Sequence, residues 1–281
     1  MSARLWGPAV ALVMAAGSIP GAATPAEAAA RAVEIMLDDA IAGDHRAPAN
    51  RERDAWRHPK ETLLFFGLEP GMTVMEVWPG GGWYTEILAP VLQEGGGRLL
   101  AASWDPASDS DFVKKALAAY RAKLDARPDI YGKVEVTALQ YPTAMDPTAP
   151  GSVDLVLTFR NIHNWMPRDA ARPMLEAMFK ALKPGGLLGV VEHRASTDQP
   201  QDLQAKSGYV REDYAVELIE SVGFRLEAAS EVNANPADTR DYEGGVWTLP
   251  PSLRQGERDR ERFLAIGESD RFTLRFRKPA Q

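Results

Sequence analysis

Read for the spacing of its apolar positions, the chain alternates between two periods. Short, nearly unbroken apolar runs occur at Thr73–Trp78, Arg98–Trp104, Lys133–Ala138, Val153–Phe159, Leu187–Glu192, Phe224–Ala229 and Phe272–Arg277. Runs of this length that are apolar at consecutive positions are expected of strands buried on both faces. Between them lie stretches with helical spacing: Lys60–Phe66, Trp83–Leu92, Ser110–Ala126, Pro167–Leu182 and Val210–Val222. An earlier helix is expected at Ala29–Ile41, with Val33, Met36, Leu37 and Ile41 on one face. Strand–helix alternation of this kind predicts an α/β fold, a doubly wound and mostly parallel sheet of seven strands in the Rossmann-like manner. No helix separates the last two strands, so the final one is expected to run antiparallel.

Two segments fall outside that rhythm. The start, with Arg4, an apolar run from Leu5 to Ala16 and an Ala26-Glu27-Ala28 site, has the form of a secretory signal peptide. Its apolar run of about a dozen residues is too short to span a bilayer as a helix. Residues 1–28 are therefore expected to be removed during export, with the periplasm as destination and no membrane anchor afterwards. Residues 29–58 then form an N-terminal helix and an arginine-rich segment, and 59–281 the main domain. The second segment is an insertion at about 231–270, with Asn-Pro, Gly-Gly and Pro-Pro pairs and a charged stretch from Arg254 to Arg262. Its length is far beyond an ordinary loop. It is expected either to close over the strand ends near His163 and Trp165 or to be a solvated excursion.

Composition removes whole classes of chemistry. The chain has 281 residues and no cysteine, so disulfides, thiolate metal sites and cysteine nucleophiles are excluded. A net charge of −7 argues against a general nucleic-acid binder and points to a small-molecule partner.

The turn Glu76-Val77-Trp78-Pro79-Gly80-Gly81-Gly82 leaves a strand and opens a helix, where backbone N–H groups can approach a ligand. It does not have the spacing of the dinucleotide fingerprint, which weakens a nicotinamide-dependent oxidoreductase. An acid at the strand end followed by a short glycine turn instead resembles motif I of the class I S-adenosylmethionine-dependent methyltransferases. Ser152–Asn161 is similar to that family's fourth strand and following loop, and Ala181–Glu192 to its Lys-Pro-Gly-Gly turn and fifth strand. More narrowly, Trp56-Arg57-His58-Pro59, Glu76–Tyr84, Arg160–Trp165 and Gly267-Glu268-Ser269-Asp270-Arg271 resemble a bacterial subfamily of methyltransferases with export signals.

The resemblance implies S-adenosylmethionine as cofactor. Glu76, Pro79, Gly80, Gly81 and Gly82 would face its methionine end, Ser103 and Asp105 would stand where an acid usually meets the ribose, and Asn161 would sit beside the methyl group. It also implies departures. Trp78 replaces the first motif glycine, the second-strand acid is replaced or displaced, and Thr137–Tyr141 offers no acid to the adenine amine. The alternative is an exported, non-catalytic ligand-binding module on the same fold. For catalysis, His163 and His193 follow strands four and five, where open sheets bind ligands, and histidine suits proton removal near neutral pH. With Asn161 they are the candidate catalytic residues. Glu192 stands beside the two histidines in the order of the strands, but no metal-binding spacing supports a metal site. Trp78, Trp83, Trp104 and Trp165 fall at strand ends, as cavity walls or as core. Arg51, Arg53 and Arg57 are an anion clamp or a solvated face.

Overall fold

A computed structural model describes residues 24–280. The elements are α1 (Pro25–Ala42), α2 (Pro48–Arg51), α3 (Asp54–Arg57), α4 (Pro59–Phe65), β1 (Thr73–Val77), α5 (Thr85–Glu94), β2 (Arg98–Ser103), α6 (Asp111–Ala126), α7 (Pro128–Tyr131) and β3 (Val134–Ala138). There follow β4 (Val153–Phe159), α8 (Ile162–Trp165), α9 (Ala171–Ala181), β5 (Leu182–His193), α10 (Glu212–Glu220), β6 (Arg225–Ser230), α11 (Arg260–Ile266) and β7 (Arg271–Arg277). The seven strands form one sheet in the order β3-β2-β1-β4-β5-β7-β6. β7 is antiparallel to both of its neighbours and the remaining strand pairs are parallel, as the missing final helix led us to expect.

Side chains on successive strand positions enter two separate cores, which is why the strands are apolar at nearly every position. Met75, Val77, Val156, Leu188 and Val190 join Trp165, Met174, Met178 and Ile219 on one face. Val74, Leu155, Leu157 and Val191 join Leu37, Leu63, Ile87 and Leu88 on the other. Gly189 lies where β5 runs beneath α4, and a Cβ there would stand 2.6 Å from the Phe66 ring. Among the described residues no helix is long and apolar enough to cross a membrane.

Two boundaries differ from expectation. α1 begins at Pro25 rather than Ala29 because Thr24 and Glu27 form a reciprocal cap: the Glu27 amide donates to Thr24 Oγ1 at 3.3 Å and the Thr24 amide to Glu27 Oε2 at 2.7 Å. Ala26–Ala28 therefore lies in the first turn of a helix, while residues 1–23 of the expected export segment lie outside the described residues. β5 begins at Leu182, before the Lys-Pro-Gly-Gly turn, because Leu182 already pairs with Val153 across a register shift.

Chain order reverses between β1 and β4: β2 and β3 are laid down on one side, and β5 on the other. A crevice opens at the carboxyl ends of strands at such a point, and ligands bind there.

Candidate functional site

The turn after β1 and the loop after β4 meet at this reversal. Asn161 donates from Nδ2 to the Val77 carbonyl at 3.0 Å and to Thr158 Oγ1 at 3.2 Å, tying the two strand ends together. Around them are two cavities that share Trp78, Gly80 and Asn161 as walls.

The first, of about 290 Å³, is lined by Asn50, Arg53, Arg57 and Arg160 together with Glu76, Pro79, Gly81 and Tyr84. Gly80 has a left-handed φ of 59°, and neither Gly80 nor Gly81 would place a Cβ within 4 Å of another atom. The turn thus leaves its backbone open to the cavity. Glu76 is buried and accepts from Thr85 Oγ1 at 2.6 Å. Burial raises its pKa to about 7, against the pull of the Thr85 hydrogen bond and of Lys123.

The arginines are held in an unusual way. Glu268 accepts from Arg53 Nε at 2.5 Å and Arg57 Nε at 3.1 Å, and Arg271 Nη2 lies 3.2 Å from it. Burial alone would raise the Glu268 pKa, but Arg57, Arg271, Arg53 and Arg160 outweigh it and hold the group at about 2. The Arg57 guanidinium also lies over the Trp83 ring at 4.7 Å. Arg160 takes a left-handed φ of 60°, and its Nη1 is buried with no partner among the described residues. Burial and the neighbouring Arg271 lower its pKa to about 10.

The second cavity, of about 410 Å³, is aromatic. Trp78, Trp104, Phe112, Tyr141 and Trp165 line it, with Ser108, Ser110, Gln140, Asn161, Asn164 and Arg168 as polar members. Trp78 stands between the cavities with a left-handed φ of 51°, its Nε1 donating to the Leu139 carbonyl at 2.7 Å. Its ring lies 5.5 Å from Trp104 and 5.9 Å from Trp165. The Trp165 indole N–H is buried without a partner among the described residues.

Of the residues singled out from the sequence, Glu76, Pro79, Gly80, Gly81 and Asn161 line the cavities. The others do not. Gly82 instead allows close packing, since a Cβ there would stand 3.1 Å from Tyr120. Ser103 is buried in β2. Asp105 turns back on its own loop, where the Thr143 hydroxyl and the Ala107 amide lower its pKa. The side chain that reaches the cavity from the end of β2 is Trp104, between them.

His163 and His193 also belong elsewhere. His163 Nδ1 lies 2.9 Å from Glu192 Oε1, and His193 Nδ1 lies 2.6 Å from Ser269 Oγ. Their rings are 5.3 Å apart, and Trp247 packs on His163 at 6.1 Å. Potential ligand atoms of His163, Glu192 and His193 do converge within 4.8 Å. However, Glu192 also accepts from the His163 and His193 amides. Burial first, then His163 and Arg160, Arg271 and Arg57, pushes the His193 pKa well below its ordinary value, so the surroundings are hostile to added positive charge.

Side-chain hydrogen bonds tie the 231–270 segment to the rest of the domain: Asn233 donates to Thr62 and Thr273, and Tyr209 donates to Asp238. Within the segment, Asn235 donates to the Ile266 and Glu268 carbonyls and Asp238 accepts from the Asp270 amide. It covers His163 through Trp247 but contributes no residue to either cavity. Arg53 and Arg57, expected as an anion clamp or a solvated face, line the first cavity, whereas Asn50 and Arg160 were the site residues least visible in the sequence. The motif blocks Trp56–Pro59, Arg160–Trp165 and Gly267–Arg271 carried Arg57 and Arg160, and the fold joins these blocks into one body. Gly267, at φ 84°, approaches so closely that a Cβ there would stand 2.3 Å from the Trp56 ring.

No family profile and no curated protein matches the sequence. Solved structures do match its fold. A methyltransferase from Aquifex aeolicus that depends on S-adenosylmethionine is 17% identical, with a TM-score of 0.55 over 81% of this chain and 93% of that one. A protein from Bacillus halodurans that carries the description putative methyltransferase is 14% identical, with a TM-score of 0.51 over 79% and 99%. The 4+2 cyclase SpnF is 15% identical, with a TM-score of 0.56 over 94% and 99%. The chain therefore has the Rossmann-like methyltransferase fold. Because that fold also carries a cyclase, the reaction has to be argued from the site.

Proposed function

We propose that the chain is an S-adenosylmethionine-dependent methyltransferase acting on a small molecule. The observation that carries this reading is the pairing of the two cavities at the β1/β4 reversal, one richer in guanidinium groups (Arg53, Arg57 and Arg160), the other walled by aromatic rings with a single arginine, Arg168. A ligand with a carboxylate at one end and a purine at the other matches that polarity. The carboxylate suits Arg53 and Arg57, and Glu76 offers an acceptor for an ammonium. Trp104, Phe112 and Tyr141 offer faces to a heteroaromatic ring. When bound, the cofactor supplies an electrophilic methyl group on sulfur. The protein's part is to position the partners and exclude water, with Asn161 Oδ1 and the Gly80–Gly81 backbone at the junction of the cavities.

Calorimetric titration with S-adenosylmethionine and S-adenosylhomocysteine tests the reading. Binding of both is expected, and binding of neither returns the chain to a non-catalytic module with Trp78 filling the place of the motif glycine. The titration should also depend on pH. Protonation of Glu76 removes the charge that attracts the ammonium, so affinity for S-adenosylhomocysteine should weaken as the pH falls through about 7. The same affinity at about pH 6 and about pH 8 would remove Glu76 from the ammonium.

We propose further that the protein is exported, on the strength of Arg4, Leu5–Ala16 and Ala26-Glu27-Ala28. Mass spectrometry of protein from its own host should find an N-terminus between Ala23 and Arg31. An intact Met1 in the cytoplasmic fraction would contradict it.

A further inference from the structure

The charge around the first cavity does not balance. Arg53, Arg57, Arg160 and Arg271 all act on the single carboxylate Glu268, which leaves three positive charges without a partner there. Other acids of the surrounding elements are engaged elsewhere. Asp54 is held by Arg46 at 2.6 Å, Asp270 by Arg240 at 3.2 Å, and Glu86 by Lys123. Glu192 is taken up by His163 and by two backbone amides. Glu76, whose pKa burial raises to about 7, carries only part of a charge at neutral pH. Unbalanced buried charge is costly unless a ligand neutralises it. S-adenosylmethionine cannot do so, because its sulfonium and ammonium outnumber its one carboxylate. Its carboxylate offsets one positive charge at most, and its net charge is of the wrong sign for the rest. Arg160 is the clearest unfilled donor: it lines the cavity, and its Nη1 is buried without a partner.

Resting on the methyltransferase reading, we propose that the first cavity also takes the anionic group of the methyl acceptor, and that the acceptor is a small acid carrying at least two negative charges, a phosphate ester or a dicarboxylate. Arg160 is the residue that reads it. Its planar fork suits a phosphate or carboxylate, and it lines the first cavity next to Asn161, a wall the two cavities share. An acceptor ionised before it binds also fits a site whose lining contains no histidine.

The test uses the mature chain saturated with S-adenosylhomocysteine and titrated with inorganic phosphate, then malonate, at constant ionic strength so that general screening is matched. Arg160→Gln, Arg160→Lys and the surface control Arg121→Gln are measured beside it, with near-ultraviolet circular dichroism confirming that each is folded. Both anions should bind the saturated wild type. Arg160→Gln should weaken them at least tenfold, Arg160→Lys by less, and Arg121→Gln should not change them. Three results would overturn the proposal: no anion binding to the saturated protein, displacement of phosphate by S-adenosylhomocysteine in one-for-one competition, or equal losses in Arg160→Gln and Arg121→Gln. An equal loss of phosphate and S-adenosylhomocysteine in Arg160→Gln would overturn it too, assigning Arg160 to the cofactor's carboxylate. Failure of the cofactor reading looks different: S-adenosylhomocysteine does not bind, while phosphate still binds the free protein through Arg160.

Discussion

Replacing Glu268 with Gln is expected to destabilise the folded protein by about 3 kcal/mol or more, the usual cost of removing one partner from a buried ionic group. For a chain of this size that corresponds to a fall in Tm of at least about 6 °C. The physical cause is specific. Glu268 is the common acceptor of Arg53 and Arg57 and lies 3.2 Å from Arg271, so the amide leaves three guanidinium groups facing one another. The pH dependence provides a second check. The Glu268 pKa falls from 4.5 to about 2 on folding, so the unfolded chain holds this proton more tightly. The resulting stability is fully present above about pH 4.5 and is lost as the pH falls towards about 2. Wild-type protein should therefore lose stability through that window more steeply than Glu268→Gln. An unchanged Tm, or parallel acid limbs, would show that the arginines are not held by this carboxylate.

The second large effect is on binding. Gly81→Val should fold, since a Cβ at this position meets nothing within 4 Å and its φ is not left-handed. The space it enters is the first cavity, where the branched side chain displaces the ligand's amino-acid end. Affinity for S-adenosylhomocysteine should fall at least tenfold, about 1.4 kcal/mol. Gly82 makes the contrast: a side chain there runs into Tyr120 and Lys123 at φ 77°, so its substitution should act on stability first. A folded Gly81→Val protein with wild-type affinity would place the ligand elsewhere.

Strands were legible in the sequence where burial on both faces leaves an apolar run, as at Val153–Phe159, and the antiparallel β7 followed from the missing helix before it. The turn after β1 was legible from its run of glycines, of which Gly80 and Gly82 take a left-handed φ. Residues that meet through the fold were not legible in the same way. Arg53 and Glu268 are 215 positions apart, and no periodicity links them. His163 and His193 were placed correctly at strand ends, but the direction of a loop side chain is set by its partners. Glu192 and Ser269 draw these rings away from the cavities. At the end of β2, sequence reading sought an acid, whereas the wall is supplied by Trp104, an aromatic group between Ser103 and Asp105.

The central claim is that one elongated ligand spans both cavities past Trp78, with its amino-acid end among the arginines. A crystal structure of the complex with S-adenosylhomocysteine tests it most directly. The account predicts the carboxylate within hydrogen-bond distance of Arg53 or Arg57 and the adenine against Trp104, Phe112 or Tyr141. Adenine in the arginine cavity, or the ligand bound outside both cavities, would contradict it.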